Sequence, residues 1–430
     1  MKKIGLVLTT LFLVISGVIA QDAKKMLKNA TKEISKALSV TGIDDEKLRD
    51  GLYELDSALK DPVVGASADA WNEKGKAYNS IADAEMKIKV LDPSYQLKYP
   101  EAGIVAFEAF SKALELATKG GQTKDALAGL TETENHINNV GITYFQENNF
   151  KDAFYKFSKS LEVYEVLKAN KKASRLDDEN LRMDQIFYAG ATGFYGKAGK
   201  DALPYLEQLY QANYDNALVY QALFEIKSEM GDANAVKYLE EGRQKYPAET
   251  GLLFSEINYY LRNNKLDVLI DKLKLAIEAE PFNISVYATL GNVYDQLMQQ
   301  ERASGNIDKS SEYFNNAFDY YNQALNIDPN NFDVNYSLGA LYYNKAASLI
   351  GELNKLTDDY SKEGTKKFKA LQKEMDELFD QGLPYFKKAE SINPKDINTL
   401  VALREIYARK GELNISNEFK ERIEALQGGN

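Results

Sequence analysis

Apolar residues recur along most of the chain at spacings of three and four, as in Phe154, Phe157, Leu161 and Tyr164. That spacing lays one apolar stripe along an amphipathic helix. Period-two alternation bounded by hairpin turns is absent, so the pattern predicts an all-α chain. The helices come in pairs. Val140-Gly141 and Tyr144 belong to a first helix, Asn148-Asn149 make the turn, and Ala153, Phe157 and Ser160 share one face of a second helix. A small residue in the first helix lets its partner approach closely. Proline, which lacks an amide N–H, closes second helices at Pro247, Pro281, Pro329 and Pro394. The last two follow near-identical phrases, ALNIDP and AESINP.

The small-residue positions repeat. They fall at Gly75, Gly141, Gly190, Leu223, Ile257, Gly291, Gly339 and Arg404, at spacings of 66, 49, 33, 34, 34, 48 and 65. Tyrosine follows three residues later at Tyr78, Tyr144, Tyr294 and Tyr342, and second helices carry Ala106 with Phe110 and Ala317 with Tyr321. This arrangement resembles the tetratricopeptide repeat, a helix–turn–helix of 34 residues with the pattern W-x2-L-G-x2-Y…A-x3-F…P. Leu223, Ile257 and Arg404 depart from it by lacking the glycine. The resemblance implies an α-solenoid of about eight units over 68–425, coiled as a right-handed superhelix. Such units stack because none can bury its apolar face alone. Three stretches exceed the period as insertions: 84–103, 297–313 and 346–379. The first contains two prolines and reads at least in part as loop. The third carries apolar stripes on either side of Gly364 and predicts a protruding helical hairpin whose removal leaves the fold intact. Residues 21–67 read as an N-terminal helical cap and 426–430 as a tail.

Residues 1–20 look like a signal peptide: Lys2-Lys3, an apolar run from Ile4 to Gly17, and small or tolerated residues before Gln21. The run is shorter than the roughly 20 apolar residues of a membrane span. No later stretch is long and apolar enough to span, so the mature chain is expected to be exported, to the periplasm or beyond. Composition narrows the chemistry. The chain has 430 residues, no Cys and one His, which excludes disulfides, Cys-ligated metals and multi-His metal sites. Its net charge of −11 repels phosphate backbones, so nucleic acid is a poor partner. His136 has no arguable Ser-plus-acid geometry, and Asp44-Asp45 and Asp177-Asp178 lack the ligand spacing of a calcium loop and suit helix N-termini instead. No cofactor, metal or catalytic motif is expected.

In the tetratricopeptide family, first helices line a concave surface that holds a partner peptide. Carried over by position, the resemblance selects Phe187, Phe194, Tyr195, Tyr220 and Phe224, then Phe254, Asn258, Arg262 and Asn292, then Tyr336 and Tyr343. So aromatic a stripe suits apolar hot-spot binding, unless part of it packs between neighbouring repeats. The functional expectation is a non-catalytic scaffold or adaptor that binds a protein or peptide at roughly micromolar strength. Leader and composition suggest a bacterial envelope, of Bacteroidota type, with outer-membrane assembly or secretion as the narrower role. One alternative is a carbohydrate- or peptidoglycan-binding protein that uses Trp71 and groove tyrosines as sugar platforms. Another is a hydrolase with an unrecognised site.

Overall fold

The computed structural model describes residues 21–39 and 41–427; the leader expected at 1–20 lies outside them. Among the described residues the chain is α-helical apart from one two-residue ladder, Leu38–Ser39 against Gly42–Ile43. It divides into two compact units, Met1–Gly242 and Arg243–Asn430.

The first unit opens with α1 (21–37), α2 (Asp45–Leu59) and α3 (Pro62–Gly65). Asp44 and Asp61 cap the latter two by accepting from the backbone N–H groups of Lys47 and Val63. Ile34, Leu48 and Leu55 of this segment join Ile81 of α4 (Ala68–Leu91) in one apolar cluster. α5 (Ala102–Leu116), α6 (Gly120–Gln146), α7 (Phe150–Ala169), α8 (Glu179–Tyr195), α9 (Leu203–Gln211) and α10 (Ala217–Glu229) follow; α11 (Val236–Lys245) runs into the second unit. α4 packs on α5, α6 on α7 and α8 on α9, and each pair packs on the next. The second unit pairs α12 (Thr250–Arg262) with α13 (Leu266–Ala279) and α14 (Ile284–Ala303) with α15 (Ile307–Ile327). After α16 (Phe332–Ser348) and the short α17 (Ile350–Leu356), α16 pairs with α18 (Lys362–Ile392), and α19 (Ile397–Arg409) with α20 (Leu413–Gln427). Helical pairs stacked in series within each unit are the α-solenoid arrangement that the repeat implies.

Close approach explains the glycines. Gly75 faces the Phe110 ring, Gly141 the Phe157 ring, Gly291 Tyr321 and Gly339 Phe386, and a methyl group on any of them would lie 2.6–2.9 Å from ring atoms. The turns between paired helices reverse through a left-handed residue, as at Asn148, Asn264 and Gly305, with φ of 57°, 52° and 84°.

The stretches in excess of the period lengthen helices. α4 runs on to Leu91, and only 92–101 is loop. That loop is pinned from beneath by the buried Glu85, whose carboxylate accepts from Tyr95 Oη (2.9 Å), Lys98 N (2.6 Å) and Tyr99 N (2.8 Å). α14 and α15 together absorb 297–313 around Gly305. Residues 346–379 become the end of α16, α17 and the first half of α18, a hairpin with Tyr360 exposed at its tip. Leu353, Met375 and Phe379 are buried at its root, so its removal would expose core, contrary to the tolerance expected from sequence.

One buried acid gives the first unit a pH signature. Glu134 is fully buried and accepts from Ser174 Oγ at 2.7 and 2.9 Å. Burial raises its pKa above 4.5; the Ser174 bond and the charge of Arg175 oppose the rise. A folded value above the unfolded one makes folding take up a proton. The stabilising contribution is therefore full below about pH 4.5 and is lost as pH rises through the folded value. Glu134→Gln is expected to flatten that part of the stability–pH curve in urea unfolding; an unchanged slope would count against the assignment.

Candidate functional site

Within the first unit, α4 and α6 lie side by side, joined by amide bridges. Asn72 Nδ2 donates to Gln122 O at 3.0 Å and Asn79 Nδ2 to Gly129 O at 2.9 Å, while Thr133 Oγ1 donates to Asn79 Oδ1 at 2.8 Å. The C-terminal halves of the two helices border an open groove of about 850 Å³. Its apolar lining is Met86, Val90, Leu91 and Pro93 on the α4 side and Ile142 on α6. Val90 is 77% exposed, Leu91 70% and Ile142 39%. Val90 and Leu91 lie off the stripe that α4 buries through Ile81, Ala84 and Ile88, and Ile142 is not among the residues α6 buries. The pinned loop 92–101 contributes Pro93 at the rim.

Beside Ile142, the α6 side is polar. His136, Asn139, Thr143 and Gln146 come from successive turns of α6. An adjoining cavity of about 450 Å³ shares Asp83 and His136 and continues past Asn79 and Asn135. The lysines of the larger groove are neutralised locally: Lys87 pairs with Asp83 at 2.5 Å and Lys89 with Glu147 at 3.2 Å, and Lys89 also donates to Tyr95 O. Burial lowers the His136 pKa and Lys87 adds to the effect, against the pull of Asp83 and Glu132. The ring is thus neutral at pH 7, one nitrogen donating and the other accepting. The site offers exposed apolar side chains beside a row of neutral hydrogen-bonding groups. Among the described residues no group of three or more His, Asp or Glu could hold a metal ion, and no helix is long and apolar enough to cross a membrane.

The residues selected from sequence divide between the two units. In the first, Phe187 stacks on Tyr214 at 5.3 Å, and Phe194 abuts Tyr195, which leans on Phe150 at 5.3 Å. Phe150 in turn meets Phe145, and Phe145 meets Tyr188, so these rings form a continuous aromatic run. Tyr220 and Phe224 require correction. Each is only 6% exposed, because α10 is buried on several sides at once, at Val219, Ala222, Leu223 and Ile226 as well. They are packing residues of that helix. In the second unit Phe254 is half-buried against the core cluster, while Asn258 and Arg262 are exposed. Asn292 accepts from Tyr321 Oη at 2.6 Å, Tyr336 packs on Phe332 and Phe386, and Tyr343 donates to Glu405 and meets the Phe379 ring edge-on. Trp71, the proposed sugar platform, is half-buried and donates its indole N–H to Gly65 O at 2.8 Å.

Sequence reasoning passed over the α4/α6 groove. It placed 84–103 in an inserted segment, although Val90-Leu91, apolar but off the Ile81–Ile88 stripe, was a legible signal.

Comparison with known proteins gives one family match and several structural likenesses. A crystal structure of MamA protein shares 14% identity, covering 49% of this chain and 92% of that one, at a TM-score of 0.36. YrrB, described as a TPR protein with an unusual peptide-binding site, shares 16% identity over 53% of this chain and 96% of its own, at a TM-score of 0.33. A human IFIT1 dimer with m7Gppp-AAAA shares 16% identity over 83% and 86%, at a TM-score of 0.31. The TPR repeat family model matches residues 305–345, the stretch from the Gly305 turn through α15 into α16, so this part of the chain carries a tetratricopeptide repeat.

Proposed function

We propose that the chain is a non-catalytic scaffold that holds a segment of a partner polypeptide in the groove between α4 and α6. The observation that carries the reading is the exposed apolar lining of Val90 and Leu91 on α4 and Ile142 on α6, in an open groove that also presents His136, Asn139 and Gln146. Contiguous apolar surface of this kind is covered by a partner. Neutral amides and imidazole suit it to a polypeptide, because they can donate to and accept from a peptide backbone while apolar side chains meet the apolar lining. The tetratricopeptide repeat at 305–345 supports an interaction role. Sugar binding is the weaker reading, since Trp71 and Tyr220 are engaged in packing.

The apolar leader is the basis for placing this scaffold outside the cytoplasm, in a bacterial envelope complex. N-terminal sequencing of the secreted or periplasmic protein is expected to begin at Gln21.

A photoreactive amino acid at Val90 or Ile142 tests the groove. In the native envelope it is expected to cross-link a polypeptide, whereas the same group at Tyr53, 73% exposed on α2, is not. Equal labelling from all three positions would refute the assignment.

A further inference from the structure

His136 is the only histidine of the chain, and it stands where two cavities of the first unit meet. With Asp83 it lines both the groove of about 850 Å³ and the polar cavity of about 450 Å³ beside it. The side chain is half-buried on α6, and among the described residues neither ring nitrogen has a hydrogen-bond partner. Both nitrogens are therefore open to a ligand in the groove; in the neutral ring one donates and the other accepts.

The charges around the ring decide what a proton would do there. α4 presents Asp83 and Lys87, which pair with each other at 2.5 Å, and α6 presents Glu132, exposed one turn before the histidine. Lys76, which lines the smaller cavity, is shared between Glu73 and Asp125 at 3.1 and 3.8 Å. Among the described residues α5 and α7, which also pack on α6, bring no charge against the ring. The Asp83–Lys87 pair leaves little net charge beside it, and Glu132, being exposed, is screened by water. Burial, which already holds the pKa below 6.5, is the larger influence. A polypeptide lying across Val90, Leu91 and Ile142 would take more water from the ring and make its protonated form costlier still. Whatever disfavours the proton in the complex makes the proton disfavour the complex.

We propose that His136 makes the groove a pH-dependent clasp: a polypeptide is captured against the neutral imidazole and released as the ring takes up a proton. The proposal rests on the partner-binding reading above and adds the regulation of that site. The rival explanation is that His136 only lines the groove and that any acid sensitivity comes from Asp83, Glu132 and Glu147.

Two measurements on the full, untagged chain separate these. Both use a peptide that a random library yields on the wild type but not on Val90→Glu/Ile142→Glu. The first follows the ring itself by nuclear magnetic resonance. With carbon-13-labelled histidine the one imidazole signal needs no assignment, and its titration midpoint is expected to fall when the peptide is bound. An unchanged or higher midpoint would overturn the proposal. The second compares peptide affinity at about pH 7.5 and about pH 5, on either side of the histidine range. The wild type is expected to bind at least about threefold more weakly in acid, and the affinity of His136→Gln, whatever its value at neutral pH, to stay within about 1.5-fold. An equal loss in His136→Gln would assign the sensitivity to the carboxylates and overturn the proposal, as would a wild-type affinity that is flat or rises in acid. If His136→Gln binds too weakly to measure, the midpoint in the wild type decides alone. If no library peptide depends on Val90 and Ile142, the partner-binding reading falls and this proposal with it.

Discussion

Replacing Phe110 by alanine is expected to destabilise the Met1–Gly242 unit by about 3–5 kcal/mol, the range for losing a fully buried phenylalanine. The ring is completely buried, and it fills a slot made by two glycines on two helices. A methyl group on Gly75 would lie 2.6 Å from its edge, and one on Gly129 would lie 2.1 Å from Cζ. Relaxation into the vacated space is restricted, because the Asn72–Gln122 and Asn79–Gly129 bonds hold α4 and α6 at their present separation. The cost should therefore include most of the cavity. The converse change sharpens the test. Gly129→Ala should cost about 1–3 kcal/mol by overpacking in the wild type and little in the Phe110→Ala background, where the space is empty. Urea unfolding of the four proteins of this cycle measures the coupling. A Phe110→Ala cost below about 1 kcal/mol, or additive effects of the two changes, would show that the slot is not rigid.

The same slot shows how far the sequence could be read. Gly75 with Phe110, Gly141 with Phe157 and Gly291 with Tyr321 were legible because a small residue in the first helix and a ring in the second recur in successive helical pairs. Gly129 was not, because it lies outside the repeat register on a helix that runs from Gly120 to Gln146. The helix packs on α4, α5 and α7, and a single period cannot encode three partners. Two members of the aromatic stripe, Tyr220 and Phe224, were misplaced for a related reason. Periodicity locates an exposed face only where a helix is buried on one side, and α10 buries Val219, Tyr220, Ala222, Leu223, Phe224 and Ile226. The groove itself was hidden by proline. Pro93 and Pro100 flank a true loop, but the helix before it continues to Leu91, and the tie between Glu85 and residues 95–99 that orders the rim joins positions 10–14 apart in sequence.

Putting glutamates at Val90 and Ile142 together is expected to abolish capture of the partner, with a loss of at least about 100-fold in affinity. Each side chain buried by a ligand contributes roughly 1.5–3 kcal/mol, and the replacement also asks the complex to desolvate a charge. Two such sites therefore exceed the ~2.7 kcal/mol that corresponds to 100-fold. The fold should be indifferent. Val90 is 77% and Ile142 39% exposed, neither belongs to the buried set of its helix, and glutamate is a good helix former. Far-ultraviolet circular dichroism and the urea midpoint are thus expected to stay at wild-type values while cross-linking and capture disappear. Substituting Asn139 and Gln146 by alanine in the same groove should weaken capture less, by about 0.5–1.5 kcal/mol per lost neutral hydrogen bond, because water replaces each amide's partner in the free protein. That ranking, apolar lining above polar lining, follows from the groove's composition. If the alanine pair proved the more damaging, hydrogen bonding rather than apolar burial would dominate recognition. If the glutamate pair left capture unchanged, the partner would be bound at some other surface of the chain.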